Sequence, residues 1–194
     1  QVWLDDPRWD PVFELADAEG LALILHTGRW QQAAGYPLAL ARARAFPRVR
    51  HILSHAGGDT PELTLGAADA VVQQRLDNVA FDMAGVREHW ALQRAIARAG
   101  HERYMMGSDY PLAPPAMYIA QVRAMGLPGR ITDALLGGNA LRLLGPPLER
   151  QDAGAASVAA PVAASVAAVV AAPGTASAST GTARPAPGQD RAGA

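Results

Sequence analysis

The sequence predicts a parallel α/β fold, and three observations predict it. Short apolar runs of strand character alternate with longer helix-patterned stretches, the grammar of β/α units rather than of a sandwich or a bundle. Helix start and stop residues stand where that alternation needs them. Three of the runs lead into a residue able to bind a metal or move a proton, His26, His55 or Asp109, each with glycine nearby.

The elements follow in order. Asp10-Pro11 offers a cap and a first-turn proline, Phe13, Leu15, Ala16 and Ala18 supply an apolar surface, and Gly20 stops the helix. Leu21 to Leu25 then reads as a buried strand ending at His26. The Ala, Leu and Arg content of Leu38 to Ala45 predicts a helix broken at Phe46-Pro47, and Val49 to Ser54 is the next strand, ending at His55. Pro61 to Leu76 predicts a helix, Asn78 to Met83 a strand, and Val86 to Ala99 a helix closed by Gly100. Tyr104 to Met106 is a fourth strand, running into Gly107-Ser108-Asp109. Pro114 to Met125 and Ile131 to Leu144 read as two closing helices, with Gly145-Pro146-Pro147 as a stop.

Two units result: a packed domain over 1–148 and a tail over 149–194 rich in Ala, Pro, Gly and Ser. The tail has no large aliphatic or aromatic side chains after its first residues, so it is expected to be disordered. Ala153 to Ala172 is uncharged, but it is mostly alanine, contains Pro161 and lacks Leu, Ile and Phe. It is therefore not read as a membrane span.

Composition narrows the chemistry. A chain of 194 residues has room for one domain. A net charge of −1 predicts no electrostatic attraction to nucleic acid or to anionic membranes. There is no cysteine, which removes disulfides, thiolate nucleophiles and Cys-ligated metals. There is no lysine either, which removes Schiff-base chemistry and a P-loop lysine. Any metal ligands must come from His, Asp and Glu. The chain opens on Gln1 with no secretory pattern, so a cytoplasmic location and a start within a longer protein are expected.

In a parallel β/α fold the carboxyl ends of the strands converge on one face, where ligands bind. His26 in Leu25-His26-Thr27-Gly28, His55 in Ser54-His55-Ala56-Gly57-Gly58 and Asp109 in Gly107-Ser108-Asp109-Tyr110-Pro111 are thereby expected to meet. Imidazole and carboxylate suit zinc, iron or manganese. Each also has a plainer reading, as a hydrogen-bonded strand end, a turn, or a helix cap. Asp82 lies near a strand end and reads equally as a substrate contact or as a structural carboxylate. His51 sits at the far end of its strand from His55 and is expected to be solvated or a polar core residue, while His89 and His101 read as surface residues. Arg42, Arg44, Arg48 and Arg50 read as a solvated helix face and strand approach. A Ser-His-Asp hydrolase drawn from Ser54 or Ser108 lacks the Gly-x-Ser-x-Gly elbow.

Taken together these motifs resemble the amidohydrolase-related (amidohydrolase 2) family, which includes enzymes of the aminocarboxymuconate semialdehyde decarboxylase type. The matching order is Glu14-Leu15-Ala16, the strand to His26, Ile52 to Gly58, Asn78 to Asp82, Arg103 to Pro111, and Asn139-Ala140 with Leu143-Leu144. The resemblance implies the later half of a TIM-type (β/α)8 barrel, covering about residues 5 to 145. It further implies one divalent metal, zinc by default, held by His26 and Asp109. His55 and Asp109 would be the catalytic pair. The implied activity is hydrolysis of a small molecule by a metal-activated water, with decarboxylation at the same site as the alternative. A catalytically inactive fragment is a third reading. The family's first-strand His-x-His pair does not occur here, and a full barrel takes about 250 residues. A chain lacking its N-terminal strands is expected, with open sheet edges that favour a homo-oligomer.

Overall fold

The computed structural model describes residues 2–145. The expected boundary at residue 148 and the expected disordered tail lie outside the described residues. Helix α1 (Asp10–Ala18) leads into strand β1 (Ala22–Leu25), and three further β/α units follow. These are α2 (Tyr36–Ala45), β2 (Arg50–Leu53), α3 (Pro61–Gln73), β3 (Val79–Asp82), α4 (His89–Ala99), β4 (Tyr104–Met105) and α5 (Pro115–Ala124). Two short helices, α6 (Gly129–Asp133) and α7 (Asn139–Leu144), complete the described chain. The four strands form one parallel sheet in the order β1-β2-β3-β4, with Leu25 opposite Leu53, Leu53 opposite Phe81, and Phe81 opposite Tyr104.

Alternation along each strand sends neighbouring side chains to opposite faces. Leu23, Leu25, Leu53, Val79, Phe81 and Tyr104 pack among the helices, with Phe13, Leu40, Val71 and Leu92 in the same core. The other face carries Ala22, Ile52, Ala80 and Met105, against which Ala140 and Leu143 of α7 pack. Full burial of each large side chain contributes about 1.5–3 kcal/mol.

Local signals explain the helix starts. The Thr60 side chain accepts the Leu63 amide and Pro61 opens α3, so one orphan donor of the first turn is satisfied. α3 passes so close to the turn after β2 that a Cβ on Gly57 would lie 2.3 Å from the Ala67 Cβ, and one on Gly58 would lie 2.2 Å from the Leu63 Cβ. Only glycine permits that approach.

The structure corrects several expectations. α4 starts at His89, not Val86, because Gly85 turns with φ +76° and buried Val86 belongs to the loop. The helix expected over Ile131 to Leu144 is divided: a wide turn at Ala134–Gly138, containing Gly137-Gly138, separates α6 from α7. Arg42 is not solvated. It is 8% exposed, donates to the Leu4 and Asp6 carbonyls and to Asp10, and lies over the Phe13 ring. Arg50 likewise bridges the Gly20 and Leu143 carbonyls. Arg44 and Arg48 are exposed as expected, Arg48 pairing with Asp17. His51 is the polar core residue of its two readings: it is fully buried, stacked on Phe13 at 5.8 Å.

Candidate active site

The parallel order of the strands brings their carboxyl ends to one rim, and a cleft of about 890 Å³ opens there. His26, His55 and Asp109 all line it. His26 follows β1 directly, half-buried. His55 follows β2 in a turn where His55, Ala56 and Gly57 all take positive φ, at 55°, 52° and 86°. For His55 and Ala56 this left-handed backbone is strained, and such strain is held only where packing over-determines it. Ser54, His55, Ala56 and Gly57 are all buried, which meets that condition. Asp109, also at positive φ (55°), is exposed on the loop after β4.

The rings of His26 and His55 lie 5.1 Å apart, tilted by 54°. Two links hold the loops that carry them. The buried Thr27 hydroxyl donates to the Ser54 carbonyl, and Arg29 grips Asp59 through its Nε and its backbone amide, both at 2.9 Å. A Cβ on Gly28 would already sit 3.7 Å from the His55 ring.

His55 is further fixed from the loop after β3. Its Nδ1 lies 2.8 Å from the Ala84 carbonyl oxygen. A carbonyl only accepts, so Nδ1 carries the proton and, in the neutral ring, Nε2 keeps its lone pair. Asp82 does not line the cleft. Its Oδ1 accepts the Ala84 amide at 2.8 Å, and a Cβ on Gly107 would fall 1.9 Å from that oxygen. The carboxylate therefore underpins the loop that contacts His55.

Electrostatics follow from burial. His26 is held below the ordinary imidazole value by desolvation first and by neighbouring His55 second, against the opposing pull of Asp109 and Asp59. The Asp82 carboxyl is pushed up by burial, opposed by the Ala84 amide and by His55 and reinforced by Asp109. These couplings place His26, His55, Asp82 and Asp109 within one electrostatic neighbourhood.

The donor chemistry of His26, His55 and Asp109 fits a divalent metal, but the count is incomplete. Among the described residues no group of three or more His, Cys, Asp or Glu side chains is arranged to hold an ion. Sequence reasoning missed Asp59 and Arg29, whose pairing spans 30 positions and leaves no local signal. It also placed His89 on the surface without its cleft: the residue is exposed and lines the wall.

The family model described as amidohydrolase matches residues 1–145. Among solved structures, the 5-carboxyvanillate decarboxylase LigW from Sphingomonas paucimobilis is similar, with 26% identity, a TM-score of 0.57, and coverage of 73% of this chain and 54% of that one. An amidohydrolase from Burkholderia multivorans with bound zinc has 20% identity, a TM-score of 0.60, and coverage of 74% and 59%. A candidate 2-pyrone-4,6-dicarboxylic acid hydrolase from Pseudomonas putida has 22% identity, a TM-score of 0.57, and coverage of 74% and 58%. No curated protein matches the chain. The chain thus spans a little over half the length of these solved structures, and its four-stranded parallel sheet is the later half of a TIM-type barrel. The chain belongs to the amidohydrolase family.

Proposed function

We propose that this chain carries the later-half active-site residues of a metal-dependent hydrolase acting on a small molecule, in a cytoplasmic setting. The observation that carries the reading is the meeting of His26, His55 and Asp109 in one cleft, with the two rings 5.1 Å apart. His26 and Asp109 are two of the metal ligands, zinc being the default, and the remaining ligands come from outside the described residues. When bound, a divalent metal lowers the pKa of its water toward about 7.

The chain's own residues do the rest. Asp109, exposed in the cleft, holds the attacking water and takes its proton as the new bond to the substrate carbon forms. His55, with Nδ1 tied to Ala84, presents an unprotonated Nε2 that takes up the proton released from the water and delivers it to the leaving group as the scissile bond breaks. Burial keeps His26 neutral and so a competent ligand. Asp82 supports substrate binding through the loop it anchors. Exposed Trp30 and Leu112 give the cleft apolar walls suited to a small organic substrate.

Decarboxylation is the second reading, favoured by the 26% identity to 5-carboxyvanillate decarboxylase. The test is to supply lactones and carboxylated aromatic acids to the protein with added zinc or manganese, following ring opening and carbon dioxide separately. Ring opening lost in Asp109→Asn supports hydrolysis. Carbon dioxide release points to the decarboxylase, and neither product overturns both.

A further inference from the structure

Helix α5 begins six residues after Asp109 and turns two polar side chains, Tyr118 and Gln121, toward the loop after β3. The Tyr118 hydroxyl accepts the Gly85 amide at 2.8 Å, and the Gln121 side-chain amide donates to the Val86 carbonyl at 2.9 Å. Tyr118 is 6% exposed, and both residues line the cleft.

The bond partners of this loop have a consequence for His55. The Gly85 N–H and the Ala84 C=O belong to one planar peptide group. Tyr118 holds its N–H end and His55 Nδ1 donates to its C=O end, both at 2.8 Å. Hydrogen bonds at the two ends of one amide polarise it in the same direction and strengthen each other. The preceding peptide is tied by its own N–H to Asp82. The ring packs so closely on this group that a Cβ on Gly85 would stand 2.7 Å from His55 Nδ1.

We propose that Tyr118 is a positioning residue for His55, acting through the single Ala84–Gly85 peptide group to hold the ring as its Nδ1–H tautomer with Nε2 free. The helix that follows Asp109 thereby sets the His55 imidazole in the cleft. This rests on the reading of His55 as a proton-transfer residue. Its test reads the ring and not the reaction.

The experiment is ¹⁵N NMR of the imidazole nitrogens in the full chain, wild type against Tyr118→Phe, with circular dichroism to verify folding. Phenylalanine keeps the ring packing and removes only the acceptor. The wild type is expected to show a protonated Nδ1 and an unprotonated Nε2 at His55. In the variant the two shifts move toward each other as the ring exchanges between tautomers, while His89 and His101 are unchanged. Turnover assays then separate the two ideas: tautomer loss without any activity in the wild type sinks the functional reading alone. An unaltered His55 pattern in folded Tyr118→Phe overturns the proposal. Should that variant fail to fold, hydrogen exchange of the Gly85 amide in the wild type decides: slow exchange sustains the bond to Tyr118, and exchange at the rate of an open loop overturns it.

Discussion

Acidification should unfold this domain in large part through one buried ring. His51 is fully buried between the sheet and α1, stacked on Phe13, with Nδ1 donating to the Val49 carbonyl at 2.9 Å and Nε2 without a partner. Desolvation pulls its pKa down from 6.5 to about 4, the Val49 bond opposing. Below pH 6.5 the unfolded chain takes up a proton that the folded chain refuses. The stability contributed by neutral His51 is thus complete above pH 6.5 and lost as pH falls to about 4. At about 1.4 kcal/mol per pH unit this is roughly 3 kcal/mol, a large share of a domain's total of about 5–15 kcal/mol.

The perturbation is His51→Leu, which removes the titration and nearly conserves volume. The Val49 carbonyl left behind still accepts Asn78 Nδ2 at 3.1 Å, so no buried acceptor is orphaned. Urea unfolding followed by tryptophan fluorescence, at pH 7 and pH 4, gives four stabilities. Other acid-sensitive groups titrate in both proteins and cancel in the difference. The wild type should lose roughly 3 kcal/mol more than the variant over that range. Equal losses would refute the assignment of His51 as the buried neutral base.

Further expectations bear on packing and on the site. Arg42→Ala removes the donor to the Leu4 carbonyl and to Asp10 and one of two donors to the Asp6 carbonyl, and should cost about 3 kcal/mol in urea unfolding. Gly107→Ala forces a methyl into Asp82, displaces the Ala84 bond, and should destabilise by about 1–3 kcal/mol while broadening the His55 signals in NMR spectra. Thr60→Ala removes the cap on α3 and should lower stability by about 1 kcal/mol in the same unfolding assay. In a turnover assay under the proposed mechanism, Asp109→Asn should slow the reaction by about 10²- to 10⁴-fold with little change in the melting temperature.

Much of this molecule is legible from its sequence because its signals are local. Pro61, Gly20 and Gly100 mark real helix ends, and the apolar runs before His26 and His55 are strands whose ends converge. The misread parts are those decided by distant partners. Arg42 has the charge of a surface residue, but the carbonyls that bury it lie 36 and 38 positions away. Val86 fits a helix pattern until Tyr118 and Gln121 claim the backbone around it. Asp82, which the sequence leaves open between a substrate contact and a structural carboxylate, accepts the Ala84 amide only two positions away. Apolar periodicity reports which face of an element is buried and says nothing of which carbonyl waits there.

The central claim is that His26, His55 and Asp109 form one metal-dependent site. Titration of the protein with manganese chloride, following the imidazole proton signals of all five histidines, tests it most directly. The paramagnetic ion should broaden His26 and His55 at low equivalents, spare His51, and lose that selectivity in Asp109→Ala. Broadening that leaves His26 and His55 sharp, or that is the same in the variant, would contradict the site.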